Sequence, residues 1–208
     1  MSRHGKAMYT GMLFFVYLVV YVTIQYFVQK TQVDYWLEID GAIPFMPEFV
    51  WIYHTLPVLI AMVMVVYIQR RVLFMQTFWA CIIAGVVMSI FHIAAPAIYP
   101  RVPFEVTNVH ETLVEFTRVI DGASNTFPSG HVAFSWLMFL AASKTEYAKE
   151  NAFIVSFFLL WAIGISLSTL VIKQHFFADV ISGILTAVLS FYAARLFIGH
   201  HKERTPSY

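Results

Sequence analysis

Charge is scarce in this chain: of its 208 residues only 12% are Asp, Glu, Lys or Arg, while 60% are hydrophobic, and the mean hydropathy is +0.72. Soluble domains carry about 25% charged residues, so this composition excludes a free-standing soluble fold and implies an integral membrane protein. The formal net charge of +1 decides little, because in a membrane protein the distribution of charge matters more than its sum. Cysteine is nearly absent as well. Cys81 has no partner in the chain, so an intrachain disulfide is excluded and the redox compartment is left open. Set in an apolar run, it reads as a small buried hydrophobe. A third absence concerns processing: Gln25, Tyr26 and Phe27 close the first apolar run where a cleaved leader would carry a small-x-small site, so that run reads as a retained span.

What is present is a series of apolar runs long enough to cross a hydrocarbon core of about 30 Å as helices. The reading is all-α: a single membrane domain over residues 1–208, a bundle of six spans at about 8–28, 49–67, 78–99, 129–145, 152–172 and 176–199. Between the first two spans, acidic residues alternate with Tyr35 and Trp36 ahead of Gly41, Pro44 and Pro47, the pattern of an interfacial segment with turns. Before the fourth span, Val106, Val109, Leu113, Phe116 and Ile120 recur at steps of three and four with polar residues between them. This predicts a short amphipathic helix that either lies at the interface or forms a lid beside a site. The fourth span is the shortest. Its 14 apolar residues rise about 21 Å, less than the core, so its N-terminal end is expected below the membrane surface. Beyond residue 199 the tail is polar.

Six spans place both termini on one side. That side carries Arg3, Lys6, Arg70, Arg71, Lys144, Lys149, Arg195, Lys202 and Arg204 against Lys30, Arg101, Arg118 and Lys173 on the other. The positive-inside rule then makes the richer side cytoplasmic, with a bacterial inner membrane as the expected location.

Chemistry concentrates in two stretches on the opposite, extracytoplasmic face. Phe127-Pro128-Ser129-Gly130-His131 opens the fourth span, where backbone N–H groups, a hydroxyl and an imidazole converge on one anion, phosphate being the natural guest. His175 and Asp179 open the sixth, four residues apart and so on one helix face, where a carboxylate fixes the imidazole tautomer and stabilises its cation. His54 and His92 also fall within spans; without partners at helical spacing they read as neutral groups hydrogen-bonded to a neighbouring helix.

Together the Pro-Ser-Gly-His and His-x-x-x-Asp stretches resemble the second and third signatures of the type 2 phosphatidic acid phosphatase superfamily, membrane-embedded phosphatases and phosphotransferases. The resemblance implies that His175 attacks phosphorus, that His131 protonates the leaving oxygen, and that Asp179 orients His175. Ser129 and Gly130 would hold phosphoryl oxygens. It implies no metal and no cofactor, and as partners a lipid phosphate and the bilayer, with no nucleic acid; the oligomeric state is not indicated. The chain departs from the family twice. The first signature, a Lys and an Arg-Pro, is missing in that form, and only Arg101 stands near its place; the third opens Ser168-Thr169 where Ser-Arg is usual. Arg101 and Lys173 are the expected substitutes at the phosphate, and the losses resemble the subgroup containing inositol phosphorylceramide synthases. A lipid phosphatase is therefore the first expectation, a lipid phosphotransferase the second, and a non-catalytic lipid-binding protein the third.

Overall fold

The structure is a computed structural model that describes residues 1–27, 33–101 and 103–198. The end of the expected first span at residue 28, Lys30, the end of the last span and the polar tail lie outside the described residues. Among the described residues the architecture is all helical, and five segments are long and apolar enough to cross a membrane: α1 (Arg3–Phe27), a broken segment Pro47–Tyr67, and the helices Arg71–Ala94, Ala152–Val171 and Phe177–Ile198. Between α1 and the broken segment lies a one-turn helix, α2 (Glu38–Ala42).

The broken segment was expected as one continuous helix, and it is not. It contains α3 (Val50–Tyr53) and α4 (Leu56–Ala61), with a turn at His54 and Thr55 between them and π-helical geometry over Met62–Tyr67. Pro57 explains the interruption: it has no N–H to give to the carbonyl one turn back, and its ring disfavours helical geometry there, so a new helix starts around it. The next helix, α5 (Arg71–Ala94), begins earlier and ends earlier than the expected 78–99. Pro96 pushes Ala95 out of helical geometry and stops it. Then come α6 (Val109–Asp121), α7 (Gly130–Ala142), the short α8 (Glu146–Glu150), α9 (Ala152–Val171) and α10 (Phe177–Ile198).

Around α7 the bundle closes. This 13-residue apolar helix packs against α4, α5, α9 and α10, and most of its side chains are buried. With Phe74, Met88, Phe158, Ile165 and Phe191 its Leu137 and Met138 form the core. At 1.5 Å per residue it is about 20 Å long, too short for the hydrocarbon core; it is enclosed by longer helices instead. By contrast α1 is peripheral, burying only Lys6, Thr10 and Ile24. Large apolar side chains such as Phe15, Leu160, Leu189 and Leu196 are exposed on the outside, as a bilayer-facing surface requires.

The two ends of the bundle differ. At one, the Lys6 ammonium donates to the Ile68 carbonyl, and Arg70 and Lys149 share Glu146. At the other, the N-termini of α7 and α10 meet, and α2 is bonded to the start of α10. Gly183 of α10 makes this meeting possible, because a Cβ there would lie 2.9 Å from the Ser129 carbonyl oxygen.

Candidate active site

Both signature stretches end up against each other. The Ser129 N–H donates to the Asp179 carbonyl (3.1 Å), tying the start of α7 to the first turn of α10. Ser129 is the N-cap residue of α7, its hydroxyl accepting from Val132 N–H. Gly130 and His131 follow in the first helical turn, where N–H groups lack partners within the helix. Asp179 is fully buried, and its Oδ2 accepts from His175 Nδ1 (3.1 Å) and from Phe176 N–H (3.0 Å). One carboxylate oxygen thus satisfies the α10 N-terminus and fixes His175 so that its other nitrogen is the free one.

His131 and His175 line the same cavity, of about 150 Å³. His131 is held by an aromatic face: the Tyr53 ring stacks on it at a centroid distance of 3.8 Å and an interplanar angle of 21°. The Tyr53 hydroxyl in turn donates to Asp121 Oδ2. Gly130, Asp121, Ser124, Asn125, Thr126 and Gln174 complete the polar wall. On the other side the cavity runs between Phe14, Leu18 and Val22 of α1 and Leu56 and Pro57 of α4. Those three α1 side chains are also exposed on the outer surface, so the apolar wall of the cavity borders the bilayer-facing side of the bundle.

The two expected cations are placed differently. Arg101 is partly buried and donates through Nη1 to Gln174 Oε1 at 2.6 Å, which ties it to the residue before His175. Its Nη2 is buried without a partner, as are Gln174 Nε2, Ser124 Oγ and Thr126 Oγ1. Burial, and next the charge of Arg118, lower the pKa of Arg101, while Tyr53 and Asp121 oppose the shift. Lys173 instead occupies a left-handed turn (φ 57°), and its ammonium donates to the carbonyls of Asp40 (3.0 Å) and Ile43 (2.6 Å). Two of its three donors are thereby committed to α2 and the residue after it. Asp40 completes that link, accepting from the Phe177 N–H at 2.7 Å. Thr169, where the resemblance leads one to look for arginine, is fully buried, and its carbonyl accepts from the Gln174 and His175 N–H groups.

His54 and His92 have structural partners. His54 Nε2 lies 2.9 Å from Thr117 Oγ1 on α6, and the His92 ring is buried on α5, edge-on to the Tyr21 ring at a centroid distance of 6.3 Å. Tyr53, Asp121, Gln174, Ser124 and Thr126 are cavity residues that sequence reasoning missed. Only Gln174 had a local signal, its place directly before His175. Among the described residues no group of three His, Cys, Asp or Glu side chains is placed to hold a metal ion.

The family described as the PAP2 superfamily matches residues 96–202, just over half of the chain. No curated protein and no solved structure matches it significantly.

Proposed function

The chain belongs to the PAP2 superfamily, and from that premise we propose that it is a membrane lipid phosphatase working through a phosphohistidine at His175. One observation carries the proposal: a histidine fixed by a buried carboxylate and a second histidine at a helix N-terminus face the same cavity. His175 attacks the phosphoryl group through its free nitrogen, and Asp179 stabilises the cation that forms. His131 protonates the departing lipid oxygen and then, as a base, activates the water that hydrolyses the intermediate. Ser129, Gly130 and Arg101 bind the peripheral oxygens, where a positioned cation and helix-end N–H groups stabilise the charge of the transition state. The unpartnered donors of Arg101, Gln174, Ser124 and Thr126 support this reading, since buried polar atoms without partners are costly and all four sit at or beside the cavity. Lys173 serves the site by holding α2 against the α10 N-terminus.

The apolar wall beside the bilayer-facing surface supports a lipid over a soluble phosphate ester. Phe14, Leu18, Val22, Leu56 and Pro57 offer a chain an apolar path from the bilayer to the histidines. In the same reading α7 counts as a sixth span, with both termini cytoplasmic and the site on the extracytoplasmic face, recessed because α7 is short. The apolar residues Val106, Val109, Phe116 and Ile120 are exposed, while Val114 and Thr117 of α6 face the protein. Such a helix lies over the site with its apolar side in the interface.

Thr169 in place of the usual arginine favours a second reading, transfer of the phosphoryl or headgroup to a lipid alcohol as in inositol phosphorylceramide synthases. One assay separates the readings: purified protein is incubated with lipid phosphates labelled at phosphorus, with and without a lipid alcohol. Label released as inorganic phosphate regardless of the alcohol is the expected result. Label moved onto a new lipid would establish the transferase, and unchanged substrate in every arm would overturn both.

A further inference from the structure

Asp121 is out of place in a pocket for phosphate. It lies on the cavity wall with both histidines, and a carboxylate there repels an anionic substrate unless it has a cation to serve. Its position is also firmly built. The residue closes α6, its backbone carbonyl accepts from the Tyr21 hydroxyl at 3.1 Å, and its Oδ2 accepts from the Tyr53 hydroxyl. Gly122 follows at φ 62°, in a space where a Cβ would come within 2.3 Å of Gln25 Nε2. With ψ at −170° this backbone conformation is essentially glycine's alone, so the helix ends at Asp121 and the chain turns into the Ser124–Thr126 wall.

The cation to be served is His131. The titratable groups around it are Asp121 from α6 and His175 from the loop before α10, which line the same cavity, and His54 from the turn after α3, next to Tyr53. Of these only Asp121 brings the sign of charge that favours an imidazolium. Tyr53 acts in the same direction, because its ring lies flat on the imidazole and an aromatic face attracts a cation. Its hydroxyl is spent on Asp121, which fixes ring and carboxylate relative to each other.

We propose that Tyr53 and Asp121 are positioning residues that offset the cost of burying the His131 imidazolium, an inference that rests on the phosphohistidine reading above. In the first half-reaction the lone pair of His175 forms the N–P bond as the bond from phosphorus to the lipid oxygen breaks. The His131 imidazolium gives its proton to that oxygen, which leaves as the alcohol. In the second half a water oxygen attacks phosphorus, its proton passes to His131, the N–P bond breaks and phosphate departs. His131 is then an imidazolium again. Asp121 stays a carboxylate and Tyr53 keeps its proton throughout.

A leaving group that needs no proton separates this role from a merely structural one. The experiment measures kcat/KM, which reports the steps through phosphoenzyme formation, on an alkyl lipid phosphate and on p-nitrophenyl phosphate. The variants are Asp121→Asn, Tyr53→Phe and Asp121→Glu, each purified and confirmed as monodisperse; Tyr53→Phe keeps the stacked ring and serves where Asp121→Asn fails to fold. Expected for Asp121→Asn and Tyr53→Phe is a loss of about tenfold to a hundredfold on the alkyl phosphate and less than about threefold on the aryl phosphate, with Asp121→Glu recovering part of the alkyl activity. Equal losses on both substrates, or none on either, would overturn the proposal while leaving the phosphohistidine reading intact. That reading fails separately, if the wild-type protein turns over neither substrate or if His175→Ala keeps its turnover.

Discussion

The two histidines of the cavity sit at equivalent places, each at the N-terminal end of a helix of the bundle, and are held by opposite means. His175 is fixed edge-on by a hydrogen bond that it donates to a carboxylate, which is itself fully buried and also satisfies the helix end. His131 is fixed flat, by the ring of Tyr53. An edge-on partner at Nδ1 chooses a tautomer and aims the other nitrogen, which is what a nucleophile needs. A flat partner leaves both nitrogens of the ring available, and that suits a group that must give a proton and later take one. In the proposed mechanism one fold thus prepares two imidazoles for different work through what touches them.

The sharpest way to break this comparison is to remove the nucleophile. His175→Ala should lower kcat by something like 10⁶-fold, to background, in a steady-state assay on the preferred lipid phosphate, whereas Asp179→Asn should cost about 10⁴-fold and leave measurable turnover. Equal residual rates would mean that Asp179 does more than orient His175. Arg101→Ala comes next, with an expected loss of about a hundredfold in kcat, by analogy with removing one donor to a developing oxyanion. Lys173→Met should change turnover by no more than about threefold, because its ammonium is committed to the carbonyls of Asp40 and Ile43. Its effect belongs in stability, a loss of about 1–2 kcal/mol seen as a lower unfolding midpoint in detergent. A hundredfold loss in the Lys173 variant would return that residue to the phosphate, beside Arg101.

Much of this arrangement is legible in the sequence, for identifiable reasons. Ser129, Gly130, His131, His175 and Asp179 announce themselves because the chemistry that joins them is local: an N-cap, a first helical turn, a four-residue spacing. The apolar runs show for the same reason. What remained hidden depends on distant pairs. Tyr53 and Asp121 are 68 positions apart, and neither carries a mark of the other. The capping of α10 by Asp40 crosses 137 positions. Lys173 looked like a phosphate ligand from its nearness to His175, but a left-handed turn aims its side chain at α2, and no periodicity encodes that turn. In the Pro47–Tyr67 segment a signal was present: Pro57 breaks a helix that hydropathy alone reads as continuous. The stripe on α6 was visible, but its direction was not, since Val114 and Thr117 pack inward and leave Val109, Phe116 and Ile120 exposed.

The central claim is that His175 carries the phosphoryl group, and trapping the intermediate tests it most directly. Wild-type protein mixed with a phosphorus-labelled lipid phosphate, quenched in alkali within its first turnover and digested, should yield label that is stable to base, labile to acid, and confined to a peptide containing His175. The label should vanish in His175→Ala. Label on His131, or rapid turnover without any labelled histidine, would contradict the account.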